Sequence, residues 1–364
     1  MRKALSLWLF LAIPAAAQRP PIRHVFTIVL ENKSYDETFG PNSPAPYLSK
    51  QLTAQGELLT NYYAVGHNSL DNYIALVSGQ APNVITQSDC QIYQDFVPSS
   101  IIQMELNGQI AGQGCVFPAE VSTIANQLAA HQLSWRGYME DMAEPCLHPA
   151  LNTQDQTQMA KPGNQYAVRH NPFVYFHSII DKPSCAVNDV PLTQLPADLK
   201  HYATTPNYVF ITPNLCHDGH DSPCVNGEPG GLNSADAFLR QWVPQILSSP
   251  AYQRDGLLLI LFDEAEFSAS SADTSACCNE IPGPNSPLPG IAGPGGGRVG
   301  AVVLSKFVRA GSVVTTPYNH YSLLRTIEDL FGLDQLGFAW RSGIDALAST
   351  FPDGSRSSSR GTKL

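Results

Sequence analysis

The chain has 364 residues, 43% of them hydrophobic, with 21 basic against 31 acidic side chains and a formal charge of −10. That is ample material for a large core, most simply one elaborated α/β domain. No basic stripe is available to neutralise a phosphate backbone, which excludes a nucleic-acid binder of the electrostatic kind.

The chain opens with Arg2 and Lys3, a short apolar stretch, and then Ala15, Ala16 and Ala17. This pattern predicts a secretory signal peptide over residues 1 to 17, too short for a comfortable membrane span; a retained anchor is the alternative. Cleavage after Ala17 leaves 19 basic against 31 acidic side chains, a formal charge of −12. The expected destination is secreted or periplasmic, with no transmembrane segment remaining.

HVFTIVLEN follows, a β-branched run predicting a strand over 24–31 that stops on Glu31 and Asn32. Such a run suits a strand buried on both faces, as in a parallel sheet. GHNSLDNYIALVSG places Ser69 just ahead of a helix-like segment. Alone, Ser69 reads better as a helix N-cap than as a nucleophile. From about 80 to 205 the chain is rich in Gly, Pro, Gln and Cys with little regular pattern, which predicts a cap or long insertions, apart from a strand near 134–139. A strand is predicted over 207–212, and a helix over 233–247 from the spacing of Phe238, Leu239, Trp242, Val243 and Ile246. GLLLILFDEAE then predicts a strand over 257–262 that stops on Asp263 and Glu264. The Gly- and Pro-rich stretch 283–298 reads as a loop, followed by a strand over 299–304 and a helix over 319–331. The last residues, 350 to 364, read as a disordered tail.

This alternation predicts an α/β fold with a mainly parallel sheet covered by helices on both faces. In such sheets ligands bind beyond the carboxyl ends of the strands, where both acidic pairs stand. Each pair alone is also what a strand meets on entering a solvent loop. Together, Glu31, Asn32, Asp263 and Glu264 supply only oxygen donors, which suits one divalent Mg, Mn or Ca ion. Such an ion lowers the pKa of a coordinated serine and polarises a phosphoryl oxygen.

The eight cysteines, an even number in a chain bound for an oxidising compartment, predict disulfides. Cys216 and Cys224 are the first expected pair, because they bracket a short loop. Adjacent Cys277 and Cys278 are expected to bond to different partners. His217 and His220 also admit a zinc-pair reading, without a third ligand at a strong spacing.

LENKSYDETFG, GHNSLDNYIALVSG, HNPFVYF, TPNLCHDGHD, LILFDE and NHYSLLRTIEDLFG, in this order, resemble the motifs of the secreted bacterial phosphoesterase family. That family holds acid phosphatases and non-haemolytic phospholipases C within the alkaline-phosphatase-like superfamily. The resemblance spans about residues 24 to 333 and implies one phosphoesterase domain over 18–349, alkaline-phosphatase-like, with cap-like insertions. It implies Glu31, Asn32, Ser69, Asp263 and Glu264 as metal ligands, Ser69 as nucleophile, and His170 and His220 facing the phosphate. Asn72, one turn after Ser69, is expected to aim its amide at a phosphoryl oxygen, or else to cap or pack. His67 and His320 are weaker candidates; His24, His131, His148 and His201 read as surface or packing residues. Protonated His170 or His220 would bind phosphate and protonate the leaving group. Leu70 and Asp71 stand where many relatives carry a proline before the Asn. The expected function is a secreted metal-dependent phosphomonoesterase acting through a phosphoseryl intermediate on a small phosphoester or phospholipid head group. The alternatives are a phospholipase C type phosphodiesterase, a phosphatase of phosphoinositide head groups, and a binding protein on a phosphatase scaffold.

Overall fold

A computed structural model describes residues 21–99, 107–267 and 272–347. The signal-peptide and tail expectations lie outside the described residues.

Eight strands form the main sheet: β1 His24–Leu30, β2 Glu57–Leu59, β3 Trp135–Met139, β4 Asp189–Pro191, β5 Tyr208–Thr212, β6 Gly256–Phe262, β7 Ala301–Leu304 and β8 Ser312–Val314. Their order is β8-β2-β7-β6-β1-β5-β3-β4. Only β7 runs against the others, pairing antiparallel with β6 and β2. The apolar runs form the centre because every residue of β1, β5 and β6 is buried, which only a strand covered on both faces requires.

Register decides where the acidic pairs go. His24 pairs with Gly256 and Leu30 with Phe262, so β1 and β6 end level and Glu31 and Asp263 leave the sheet side by side. The Asp263 N–H donates to the Leu30 carbonyl at 2.8 Å, extending the pairing to the rim.

Four helices matter for the site: α1 Ser69–Ser78, α2 Ile124–Ala130, α3 Gly231–Ser248 and α4 His320–Phe331. In-register residues of parallel strands share a face, so Thr27 and Phe210 point one way and Phe26 the other. Tyr73 of α1 packs on Phe210, with ring centroids 6.1 Å apart. Ala235 of α3 lies with Phe262 around Gly219, on the opposite face. Helices therefore cover both sides. The third helix starts at Gly231, before its predicted start, because Gly230 and Gly231 supply the positive φ that turns the chain into it.

The 80 to 205 stretch contributes α2, β3 and β4, so it forms one edge of the main sheet as well as the loops above it. Disulfides Cys90–Cys115 and Cys146–Cys185 tie these loops, and Cys216–Cys224 ties the segment after β5. The Cys216–Cys224 expectation holds. The expectation for Cys277 and Cys278 does not: they bond to each other, because the other six cysteines are already paired.

Candidate active site

Beyond the carboxyl ends of β1 and β6, the rim holds Glu31, Asn32, Asp263 and Glu264, all buried. Asn32 is bent into the left-handed region, φ 54°, where Asn is tolerated. That bend lets its backbone N–H donate to Asp263 Oδ1 at 2.9 Å while its amide donates to Glu31 Oε2 at 3.0 Å. Four predicted ligand residues thus meet at one rim.

Ser69 joins them from α1. The N-cap position is taken by Asn68, held at φ 68° and ψ 143°, a conformation strained for a non-glycine residue. Ser69 is the first helical residue instead, and its hydroxyl donates to Glu31 Oε2 at 2.7 Å. The capping explanation for Ser69 therefore fails, since its hydroxyl bonds across to β1 and not down its own helix. Leu70 N–H donates to Asp89 Oδ1 at 3.0 Å, and Asn68 N–H to Glu264 Oε2 at 3.1 Å, fixing the turn from both sides. Asp71 lies against Gly66, whose missing Cβ would meet the Asp71 carboxylate.

Asn72 does not face the cluster. Its Oδ1 accepts from the N–H groups of Val65 and Gly66, both at 3.0 Å. Its amide donates to the carbonyls of Gly66 at 3.0 Å and Asn68 at 3.2 Å. With both donors engaged it clamps the loop that presents Ser69, so the expected contact to a phosphoryl oxygen has no free donor to make it.

His170 does join the cluster. Its ring is buried, with Nε2 3.4 Å from Glu31 Oε2 and Nδ1 3.8 Å from Asp218 Oδ2, and neither nitrogen has a hydrogen-bond partner. Burial, then the charges of Arg169 and His220, hold it well below the usual histidine range. Burial thus works against the expected imidazolium, whereas a phosphate anion beside the ring would favour it. His220 is exposed at the rim, its backbone N–H donating to Asp218 Oδ1 at 2.9 Å.

The weaker candidates have both ring nitrogens committed. His67 bonds Glu264 through Nδ1, and its Nε2 lies 2.9 Å from the Asp273 carbonyl. His320 Nε2 lies 2.6 Å from the Asp263 carbonyl and its Nδ1 3.1 Å from the Tyr62 hydroxyl. Both imidazoles orient the acidic pair on β6 from behind. His217 bonds Glu140 and Glu228, so it forms no zinc pair with His220.

Three residues were not anticipated from the sequence. Tyr73, one turn after Ser69, donates its hydroxyl to Glu31 Oε1 and stacks on His170 with centroids 5.4 Å apart. Asp218 sits between His170 and His220; the HDGHD run that contains it was the available signal. Arg169, beside His170 in sequence, is buried with Nε 3.7 Å from Asp89 Oδ2 and its charge felt at Glu31 and Asp218. A buried guanidinium among carboxylates is a ready partner for a phosphoryl group.

The electrostatics fit a cation. Burial first, then the neighbouring Asp263 charge, pushes Glu31 well above the usual carboxylate range; burial and then Glu264 do the same to Asp263. Asp263 Oδ2 is buried without any hydrogen-bond partner. Such groups call for positive charge that the protein itself does not place there. Among the described residues, the two tightest donor sets are Cys146–Cys185–Asp189 and Cys216–His217–Glu228, and disulfide sulfurs are not ligands. The Glu31, Asp263 and Glu264 oxygens are spread more widely than either set.

This geometry can be set beside known proteins. The model of the Phosphoesterase family matches residues 42–334. The chain belongs to the Phosphoesterase family. Relatives of this family member include the phosphate-repressible acid phosphatase of Penicillium chrysogenum, 28% identical over 88% of this chain and 61% of that one. The acid phosphatase of Aspergillus fumigatus is 27% identical over 88% of this chain and 57% of its own length. This family member therefore spans about three-fifths of those fungal relatives. The phosphatidylinositol-3-phosphatase of Mycobacterium tuberculosis is 24% identical, over 89% of this chain and 82% of that one. A Pseudoalteromonas sulfatase superposes with a TM-score of 0.50 at 10% identity, covering 91% of this chain and 72% of that one. A Vibrio parahaemolyticus protein of the alkaline phosphatase superfamily superposes with a TM-score of 0.48 at 12% identity, covering 87% and 68%. The likeness to the sulfatase is one of fold alone.

Proposed function

We propose that this Phosphoesterase family member is a metal-dependent phosphomonoesterase of the acid phosphatase kind, with Ser69 as its nucleophile. The observation that carries this is the Ser69 hydroxyl, buried at the start of α1 and donating at 2.7 Å to Glu31 amid the acidic rim of the parallel sheet. The acid phosphatase relatives support the reaction class.

Glu31, Asn32, Ser69, Asp263 and Glu264 would hold one divalent Mg, Mn or Ca ion, which when bound lowers the serine pKa and offsets phosphoryl charge. The chain's own residues do the rest. Ser69 already aims its proton at Glu31, and Tyr73 fixes Glu31 from its other oxygen. Arg169 supplies permanent positive charge for the phosphoryl oxygens, and buried His170 offers a ring nitrogen to them. His220, exposed while His170 is buried, can exchange protons with solvent, which supports it as the proton donor of the two. Ser69 Oγ attacks phosphorus, the ester oxygen leaves with a proton, and water then releases phosphate from the phosphoserine. Positioning and charge carry such a reaction. Four disulfides support a secreted or periplasmic protein. Among the described residues no helix is long and apolar enough to cross a membrane.

A second reading, hydrolysis of a phosphoinositide head group, is favoured by the fuller coverage of the mycobacterial relative. A binding protein on this scaffold would be expected to lack the serine or a ligand residue, and none is missing. The test sets a soluble phosphomonoester, a phosphoinositide and a choline phospholipid side by side, before and after exhaustive chelation. Turnover of the monoester that chelation abolishes and one of the three ions restores is expected. Full activity after chelation removes the metal, and turnover of the choline phospholipid alone replaces the phosphatase reading with the diesterase one.

A further inference from the structure

The segment from residue 214 to 231 joins β5 to α3 and carries Asp218 and His220. It has no regular structure before α3, yet it is tied down repeatedly. Asn214 donates its backbone N–H to Glu140 Oε2 and its amide to Asp141 Oδ2, both at 2.9 Å. Its Oδ1 accepts from the N–H groups of Cys216 and His217 at 3.0 Å, and Cys216 is disulfide-bonded to Cys224.

A further tie is the His217 ring. Its Nδ1 lies 3.0 and 2.9 Å from the two oxygens of Glu140, the residue after β3. Its Nε2 lies 3.2 Å from Glu228 Oε2, near the far end of the segment. Carboxylates on both nitrogens require both to donate, which only the protonated ring can do. Burial works against that charge, but the hydrogen bonds and charges of Glu140 and Glu228 outweigh it and push the pKa up to about 9. From the neighbouring elements, α3 presents Phe238 to the ring, centroids 6.1 Å away, and Asp141 is engaged by Asn214.

We propose that His217 is a positioning residue that clamps this loop between the end of β3 and Glu228, so that Asp218 and His220 keep their place at the site. Two hydrogen bonds and one close approach transmit the position. Asp218 accepts the Glu31 N–H on its carbonyl at 2.8 Å and the His220 N–H on Oδ1 at 2.9 Å, and its Oδ2 lies 3.8 Å from His170 Nδ1. A loop released at His217 therefore loosens one catalytic residue and both groups that hold the others. The cross-link needs a cation with two donor directions. Glutamine has the size without the charge, whereas arginine bridges two carboxylates.

The inference rests on the phosphatase reading for its kinetic arm, and hydrogen exchange supplies an arm that does not. His217→Gln and His217→Arg are compared with the full parent chain on p-nitrophenyl phosphate and by amide exchange. The expected result is that His217→Gln lowers kcat about tenfold with KM changed less than roughly threefold. Faster exchange should be confined to residues 214–231, and His217→Arg should recover most of both. Parent-like kcat and exchange in His217→Gln overturn the proposal. So does an arginine variant as impaired as the glutamine one, or faster exchange across the whole chain, which would mark a merely structural histidine. If the parent turns over no phosphoester, the function proposal fails while the exchange comparison still decides the clamp.

Discussion

Glu31 is the residue on which the site converges. Ser69, Tyr73 and Asn32 all donate to its carboxylate, and His170 faces it at 3.4 Å. Each of these is a polar group that burial would penalise if left unpaired, so the cluster survives only as a set. Tyr73 gives the cleanest probe of that idea. Replacing it with Phe keeps the stack on His170 and removes one hydroxyl, so kcat is expected to fall about tenfold, ~1.4 kcal/mol, with the thermal midpoint little changed. Steady-state kinetics beside a melting curve check this, and an unchanged kcat removes Tyr73 from the machinery. At this scale the sequence was legible where residue type alone restricts chemistry. Four oxygen donors at two strand ends have few other uses. It was not legible where position decides: Asn72 has the right amide, but only its four hydrogen bonds to the 65–68 loop show that it clamps that loop. Nor does a sequence show that burial lowers the proton affinity of His170.

At the level of elements, β1 and β6 place the site because they are long, apolar and level at their ends, and α1 delivers Ser69 across the gap. The long strands and both long helices announced themselves by run length and helical spacing. The short strands Glu57–Leu59, Asp189–Pro191 and Ser312–Val314 did not, since three residues are too few to display a period. Helix α4, which carries His320 at its start, buries Glu328 in its last turns. One carboxyl oxygen accepts the Leu336 N–H at 2.8 Å and the other has no partner. Burial pushes this carboxyl up to about 9, against an ordinary value of 4.5. A raised folded-state pKa gives stability that is whole below the unfolded value and is lost as pH rises through the folded one. The parent should therefore lose stability between about pH 4.5 and 9 through this residue. Glu328→Gln, which cannot ionise, should gain on the parent across that interval. Melting temperatures of both chains at several pH values test this, and a difference that stays flat with pH contradicts it.

In the molecule as a whole, an edge-threaded insertion supplies the walls of a site whose floor is the parallel sheet. Cys90–Cys115 braces this insertion beside Asp89, which holds the Leu70 N–H next to the nucleophile. The bond spans 25 residues of chain. By the chain-entropy account, removing it with Cys90→Ala and Cys115→Ala together costs about 3 kcal/mol, read as a lower urea midpoint. A midpoint equal to the parent's would show that the loop is held without it. Disulfide pairing was only partly legible, because a short loop betrays Cys216–Cys224 while the Cys277–Cys278 bond depends on where six distant sulfurs lie. Family and fold were legible as an ordered set of motifs across the chain, most of which supply the rim of one strand or the start of one helix, while HNPFVYF lies in short 3-10 turns.

The central claim is that Ser69 carries the phosphoryl group between two half-reactions. Acid quenching of the parent chain during turnover of a phosphomonoester, followed by peptide mass spectrometry, tests it most directly. The peptide containing Ser69 should gain a phosphoryl group that Ser69→Ala cannot acquire, and that variant should lose turnover while keeping the parent's melting curve. Turnover of parent chain with no label on Ser69, or an alanine variant that still turns over near the parent's rate, would contradict the account.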